Sequence, residues 1–235
     1  MKILGVTIDN LSKKQLLSQI EDFLAEHKTR QIATINPEFV LQAQKDFEFR
    51  DILNDCDLRL ADGVGIWFAF LRFGNFLKAR MTGIDLMQEI IEIAAKKKLK
   101  IFLVSDARAL SSWQETRGVI NKTYPDLEIS GVAIDKKTSN YKLPPINSEI
   151  VFCNFGAPDQ ERFLYSLKNR ENDIIRLVMG VGGSFDFLTD KRKRAPKIMR
   201  KIGLEWLWRF AQEPRYRAKR IFQAIVIFPL KIIFN

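Results

Sequence analysis

Histidine is nearly absent from this chain of 235 residues: only His27 is present, in Ala25-Glu26-His27-Lys28, at what reads as a solvated helix end. That scarcity argues against a Ser-His-Asp triad and against a histidine-rich zinc centre. Acid–base work then falls to carboxylates, or to lysine or tyrosine. Cysteine is almost as scarce. Cys56 and Cys153 each lie in an apolar run, show no metal-ligand spacing and read as two buried thiols in a reducing compartment. The opening residues lack a long apolar run, so no signal peptide is expected. The apolar region Ile221–Phe234 is interrupted by Gln223, Pro229 and Lys231. It is too short for a membrane span, which takes ~20 residues. The glycine fingerprint of a dinucleotide site is also missing: Val6-Thr7-Ile8-Asp9-Asn10 stands after the first predicted strand.

What is present is an uneven distribution of charge. The net charge is +10, and Lys191 to Lys231 holds thirteen Lys and Arg against two acids, Glu205 and Glu213. The remainder is near neutral, with 25 basic and 26 acidic residues. The basic stretch also carries Trp206, Trp208, Phe210, Tyr216 and Phe222. A near-neutral body with a basic, aromatic, apolar tail suggests an enzyme working at an anionic surface. A helix lying in the interface suits that tail, each basic residue contributing ~1 kcal/mol near an anionic leaflet. Packing on the body or on another subunit is the other reading, and Trp206 and Trp208 fit a core as well as an anchor.

Strand-like and helix-like segments alternate from Ile3–Ile8 through Ile174–Val181, with 46% hydrophobic residues to fill a core. The fold expected is α/β: a Rossmann-like, mostly parallel sheet with helices on both faces. Composition changes at Lys191–Pro196. This divides the chain into a catalytic domain, 1–190, and a basic amphipathic C-terminal helical appendage, 191–235.

In open α/β sheets ligands bind beyond the carboxyl ends of the strands. Polar and glycine residues recur there. Thr34-Ile35-Asn36-Pro37 ends one predicted strand. Asn36 and Pro37 suit a helix start, but capping leaves Thr34 unexplained. Ala61-Asp62-Gly63 ends the next, either a simple turn or a carboxylate at the lip of a site. Ser105-Asp106, Asn154–Gln160 and Gly180–Asp186 end the others. Gly180–Gly183 resembles a phosphate cradle without the Walker lysine. Arg80 suits a diphosphate, because guanidinium groups bind phosphate in bidentate fashion, while Thr82 reads equally as a helix cap. Asp55-Cys56-Asp57 has the spacing of metal-binding D-x-D sugar transferases, a pattern that is common by chance.

Taken in order, Thr34-x-Asn36-Pro37-Glu38, Ala61-Asp62-Gly63-Val64-Gly65, Arg80-x-Thr82-Gly83-Ile84-Asp85, Phe155-Gly156-x-Pro158-x-Gln160-Glu161, Gly180-Val181-Gly182-x-x-Phe185-Asp186, Arg194-Ala195-Pro196, Gly203-Leu204-Glu205-Trp206 and Glu213-Pro214-x-x-Arg217 closely resemble the WecG/TagA/CpsF family of bacterial glycosyltransferases, glycosyltransferase family 26. The resemblance covers nearly the whole chain. One motif departs: Ile35 stands where relatives often carry proline.

The resemblance implies an inverting, metal-independent transfer of a sugar, of the N-acetylmannosamine type, from a UDP-sugar to a polyprenyl-diphosphate-linked saccharide. No cofactor is expected, nor any nucleic-acid partner. The expected location is cytoplasmic, peripheral on the inner face of the cell membrane, and homo-oligomerisation is left open. By motif, Asp62 is the base. Thr34 and Asn36 hold the sugar or diphosphate beside it. Arg80, the backbone N–H groups near Gly182 and Gly183, and tail arginines such as Arg217 and Arg220 neutralise the departing diphosphate. Gln160 binds donor hydroxyls, and Asp186 accepts from uracil or ribose. Two readings compete: a nucleic-acid-binding protein using the basic tail, and an NAD-dependent enzyme, which the missing fingerprint disfavours.

Overall fold

A computed structural model describes residues 1–138, 143–170 and 174–234. The chain opens with β1 (Lys2–Ile3) and β2 (Val6–Thr7), then α1 (Lys13–Ala25), β3 (Arg30–Ile35), α2 (Pro37–Ala43), α3 (Phe47–Asp55), β4 (Leu58–Ala61) and α4 (Val64–Arg72). Next come α5 (Gly83–Lys97), β5 (Ile101–Asp106), α6 (Trp113–Thr123), β6 (Ile129–Ile134), β7 (Ile150–Cys153), α7 (Asp159–Lys168), β8 (Leu177–Gly180) and α8 (Ser184–Leu188). The last segment is helical: α9 (Lys197–Lys201), α10 (Glu205–Gln212), α11 (Pro214–Phe222), a π-helical turn at Gln223–Ile227 and α12 (Phe228–Ile233). The loop expected over Tyr141–Asn147 falls partly outside the described residues, at Tyr141 and Lys142.

Strands β3 to β8 form one parallel sheet in the order β4-β3-β8-β7-β5-β6. Its central strands are continuous apolar runs because both faces are covered. Ile101, Leu103, Ile150, Phe152, Leu177 and Met179 point to the face held by α1, α5 and α6. Phe102, Val104, Val151, Cys153 and Val178 alternate to the other, against Phe163, Leu164 and Leu167 of α7. Both cysteines are buried and free, and burial pushes their thiols up.

The expected strand Ile3–Ile8 is a correction. It is the two-stranded hairpin β1–β2, outside the main sheet. Leu4 and Gly5 both take positive φ, 45° and 85°, the requirement of a tight type I′ turn. The hairpin is tied to edge strand β4: Asp9 N–H donates to the Arg59 carbonyl, and the Arg59 N–H and guanidinium donate to the Asp9 carboxylate.

From β5 the chain runs outward to β6, and from β7 it runs the opposite way to β8. This reversal opens a crevice above the carboxyl ends of the central strands. The C-terminal segment is no free tail. Phe228 and Ile232 of α12 are fully buried in a cluster with Ile66 and Phe70 of α4 and Phe39 of α2. Burying each such side chain is worth about 1.5–3 kcal/mol. No helix among the described residues is long and apolar enough to cross a membrane.

Candidate active site

A cavity of about 630 Å³ lies at the carboxyl ends of β3, β4, β5, β7 and β8. That volume suits a nucleotide-sized ligand. Thr34, Asn36, Asp62, Gln160, Gly182, Gly183, Asp186 and Arg220 all line it, so one wall gathers eight of the residues singled out from the sequence.

Asp62 is the residue after β4. Its N–H donates to the Ile35 carbonyl at 2.8 Å, which continues the strand pairing by one residue. Gly63 then takes φ 84°, the left-handed region that a side chain disfavours, and the chain turns into α4. The carboxyl group is left half-buried on the cavity wall. Desolvation pushes its pKa up to about 6, with Glu205 and Asp85 adding to the rise and Arg209 and Arg80 opposing it.

Asn36 caps α2, its side-chain oxygen accepting from the Glu38 and Phe39 N–H groups at 2.9 and 3.1 Å. Thr34 is almost fully buried. A Cβ at Gly83 would come within 3.5 Å of the Thr34 hydroxyl, so glycine at the start of α5 leaves that hydroxyl room. Thr82 caps α5, accepting from the Asp85 N–H, and the Arg194 guanidinium binds Asp85 at 2.6 Å. The amino end of this 15-residue helix therefore faces the cavity, where its dipole favours an anion.

Gln160 is a brace. Its amide oxygen accepts from the Gly156 and Gly182 N–H groups, both at 3.0 Å, tying the loop after β7 to the loop after β8. Its amide nitrogen donates to the buried Glu161 carboxyl at 2.6 Å. Burial pushes Glu161 up to about 8. The Gly182 N–H thus faces Gln160, and Gly183 precedes α8 as its cap. Asp186 is buried on the cavity lining, and its Oδ1 has no hydrogen-bond partner among the described residues, an acceptor left unsatisfied beside the crevice.

Arg80 and Arg217 are not among the lining residues. Arg80 donates to the Arg200 carbonyl at 2.6 Å, which places its charge near Asp62 from behind the wall. Arg217 pairs with Glu213 at 2.8 Å. Arg220 binds Glu38 at 2.6 Å and so anchors the appendage to α2 at the cavity edge. Arg192 pairs with Glu213 at 3.0 Å. Arg192, Arg217 and Arg220 are thus each paired with a carboxylate, and Arg80 with a backbone carbonyl.

Sequence reasoning missed Arg209 and Arg192, which line the cavity from the C-terminal segment, and Lys136, which also lines it and pairs with the rim residue Asp106. Arg209 lies four residues after Glu205 and binds it at 2.5 Å, a spacing that could have flagged it. Asp55 and Asp57 sit at the opposite, amino end of β4, bound to Lys168 and, for Asp57, Arg30. Burial pushes Asp57 up, but the Gln31 N–H, Arg30 and Lys168 hold it below the usual carboxylate range.

A parallel sheet with a crevice at its switch point, lined by carboxylates and by cationic groups, is the architecture of an α/β enzyme. The family model described as "Glycosyl transferase WecG/TagA/CpsF family" matches residues 1–235, and the chain belongs to that family. It is a glycosyltransferase. A Bacillus subtilis (strain 168) relative is 31% identical over 217 residues, covering 87% of this chain and 82% of its own. A Staphylococcus aureus (strain MW2) relative is 29% identical over 236 residues, covering 98% and 91%. Both are named N-acetylglucosaminyldiphosphoundecaprenol N-acetyl-beta-D-mannosaminyltransferase.

Proposed function

We propose that the chain moves an N-acetylmannosaminyl group from a UDP donor to a saccharide on a polyprenyl diphosphate, a step in bacterial cell-surface polymer synthesis. The observation that carries this reading is Asp62, a half-buried carboxylate on the wall of the crevice in a chain that belongs to a sugar-transferase family. The acceptor hydroxyl oxygen attacks the anomeric carbon, its proton passes to Asp62, and the bond from that carbon to the β-phosphate oxygen breaks as UDP leaves from the opposite face. The anomeric centre inverts in this single displacement. A positioned base contributes about 10²–10⁴ in rate.

Thr34 and Asn36 face the sugar and diphosphate beside Asp62. The amino end of α5, with Arg209 and Arg192, takes up the charge on the diphosphate. Arg80 and Arg217 act on that charge from behind the wall, and Arg220 from the cavity edge. Asp186 Oδ1 receives a donor hydrogen from the nucleoside. Gln160 positions both glycine loops. No metal enters this scheme. The 191–235 segment acts as an appendage that seats the enzyme on the inner face of the membrane, where the lipid-linked acceptor resides.

A panel of UDP-sugars with a short-chain lipid-diphosphate acceptor, run with and without EDTA, tests the reading. UDP-N-acetylmannosamine is expected to give the highest turnover, unchanged by EDTA. Activity with no UDP-sugar would sink the proposal, and activity abolished by EDTA would sink its metal-free chemistry.

A further inference from the structure

From Val64 to Ile84 the chain carries no Asp or Glu, and none appears from Pro214 to Asn235. The fold brings these two acid-free stretches together. Phe228 of α12 lies against α4 at Gly65, where a Cβ would come within 3.4 Å of its ring, and the Arg72 guanidinium reaches the Ile233 carbonyl at 3.5 Å. Nine of the fifteen exposed large apolar side chains among the described residues fall in these two stretches.

In the body these are Trp67, Phe73 and Phe76, the last 81% exposed. Phe76 is not on a loose loop. Its carbonyl accepts from the Asn10 side-chain amide at 2.9 Å, and the Lys78 N–H donates to the Asn10 side-chain oxygen at 2.8 Å, so the backbone is pinned on both sides of Leu77 while the ring faces solvent. In the appendage Leu230, Ile233 and Phe234 are exposed. Exposed cations flank both groups: Arg72 and Lys78 in the body, Arg215, Lys219 and Lys231 in the appendage. Exposed aromatic and aliphatic side chains that share two stretches with exposed cations, and with no acid inside either stretch, fit the headgroup region of an anionic bilayer.

We propose that α4 and the loop through Lys78, within the catalytic body, are a second lipid-contacting element that binds an anionic bilayer jointly with the appendage. This rests on the transferase reading above and its membrane-borne acceptor. Because α4 begins two residues after Asp62, seating it on the bilayer also fixes the height of the base above the headgroups.

The test uses full-length protein and vesicles of phosphatidylglycerol and phosphatidylcholine. Phe76→Ser, at an exposed site, is expected to leave the melting temperature unchanged and to raise the lipid concentration for half-maximal binding by about fivefold or more. The buried thiols of Cys56 and Cys153 permit selective attachment of an environment-sensitive dye to Phe76→Cys, and its emission is expected to shift to the blue on those vesicles. Vesicle binding by Phe76→Ser equal to wild type, with no spectral shift, overturns the proposal. A wild-type dimer that Phe76→Ser dissociates, with vesicle binding unchanged, overturns it in favour of a contact between copies. Wild-type protein that ignores anionic vesicles instead sinks the membrane role assigned above, so the two failures are distinguishable.

Discussion

Asp62→Asn is expected to cut turnover at least a hundredfold while the protein stays folded. Asparagine is nearly isosteric, so Gly63 keeps its turn and the Asp62 N–H bond to Ile35 is untouched. What is lost is proton acceptance in the transition state, worth about 10²–10⁴ in rate. Stability should move the other way. Folding raises the Asp62 pKa to about 6 from an ordinary value near 4, so the folded form gains relative stability below pH 4 and loses it as pH rises toward 6. At pH 7 the ionised carboxylate is a net cost, and the asparagine variant should melt no lower than wild type. Turnover near wild type, measured with a saturating donor, would refute the assignment of the base. A large fall in melting temperature would show that the loss of rate came from the fold.

The second large effect is expected at Gln160→Leu. Leucine keeps the bulk but removes the oxygen that accepts from Gly156 and Gly182. It also strands Glu161, whose carboxyl then lacks the amide donor in a buried position. Two backbone N–H groups lose their acceptor, each costing about 1–3 kcal/mol where water cannot replace it. Both glycine loops border the crevice, so a fall in kcat/KM of tenfold or more should accompany the lost stability. Gln160→Glu offers a check, because a carboxylate keeps an acceptor for both N–H groups, although it replaces the donor to Glu161 with a second buried carboxyl with which Glu161 must share a proton. It should recover part of both losses. If Gln160→Leu bound donor and turned over like wild type, the brace would have no functional weight.

Much of the scaffold was legible because local and global signals agree. Leu58–Ala61 and Gly83–Lys97 fall where the apolar spacing places them, the latter fixed by Thr82 at its cap. Asp62, Thr34 and Asn36 could be found because strand ends in a parallel sheet share one rim. The hairpin at Leu4-Gly5 was hidden because leucine in the left-handed region carries no signal in its identity. The bracing by Gln160 was hidden for a related reason. A glutamine in a rim loop suggests ligand contact, and Gln160 does line the cavity, but its amide oxygen also accepts from backbone groups 4 and 22 residues away, which only the folded chain brings together. Arg209 and Arg192 were invisible as site residues because the appendage folds back over the crevice, held by Arg220 on Glu38 and by Phe228 in the core.

The central claim is that one carboxylate accepts the proton of the incoming sugar alcohol, and the pH dependence of kcat/KM tests it most directly. Wild-type enzyme should lose activity in acid with an apparent pKa of about 6, the value burial gives Asp62, since only the ionised form can take a proton. The residual rate of Asp62→Asn should lack that limb. An acid limb near 6 that persists unchanged in the asparagine variant would contradict the account.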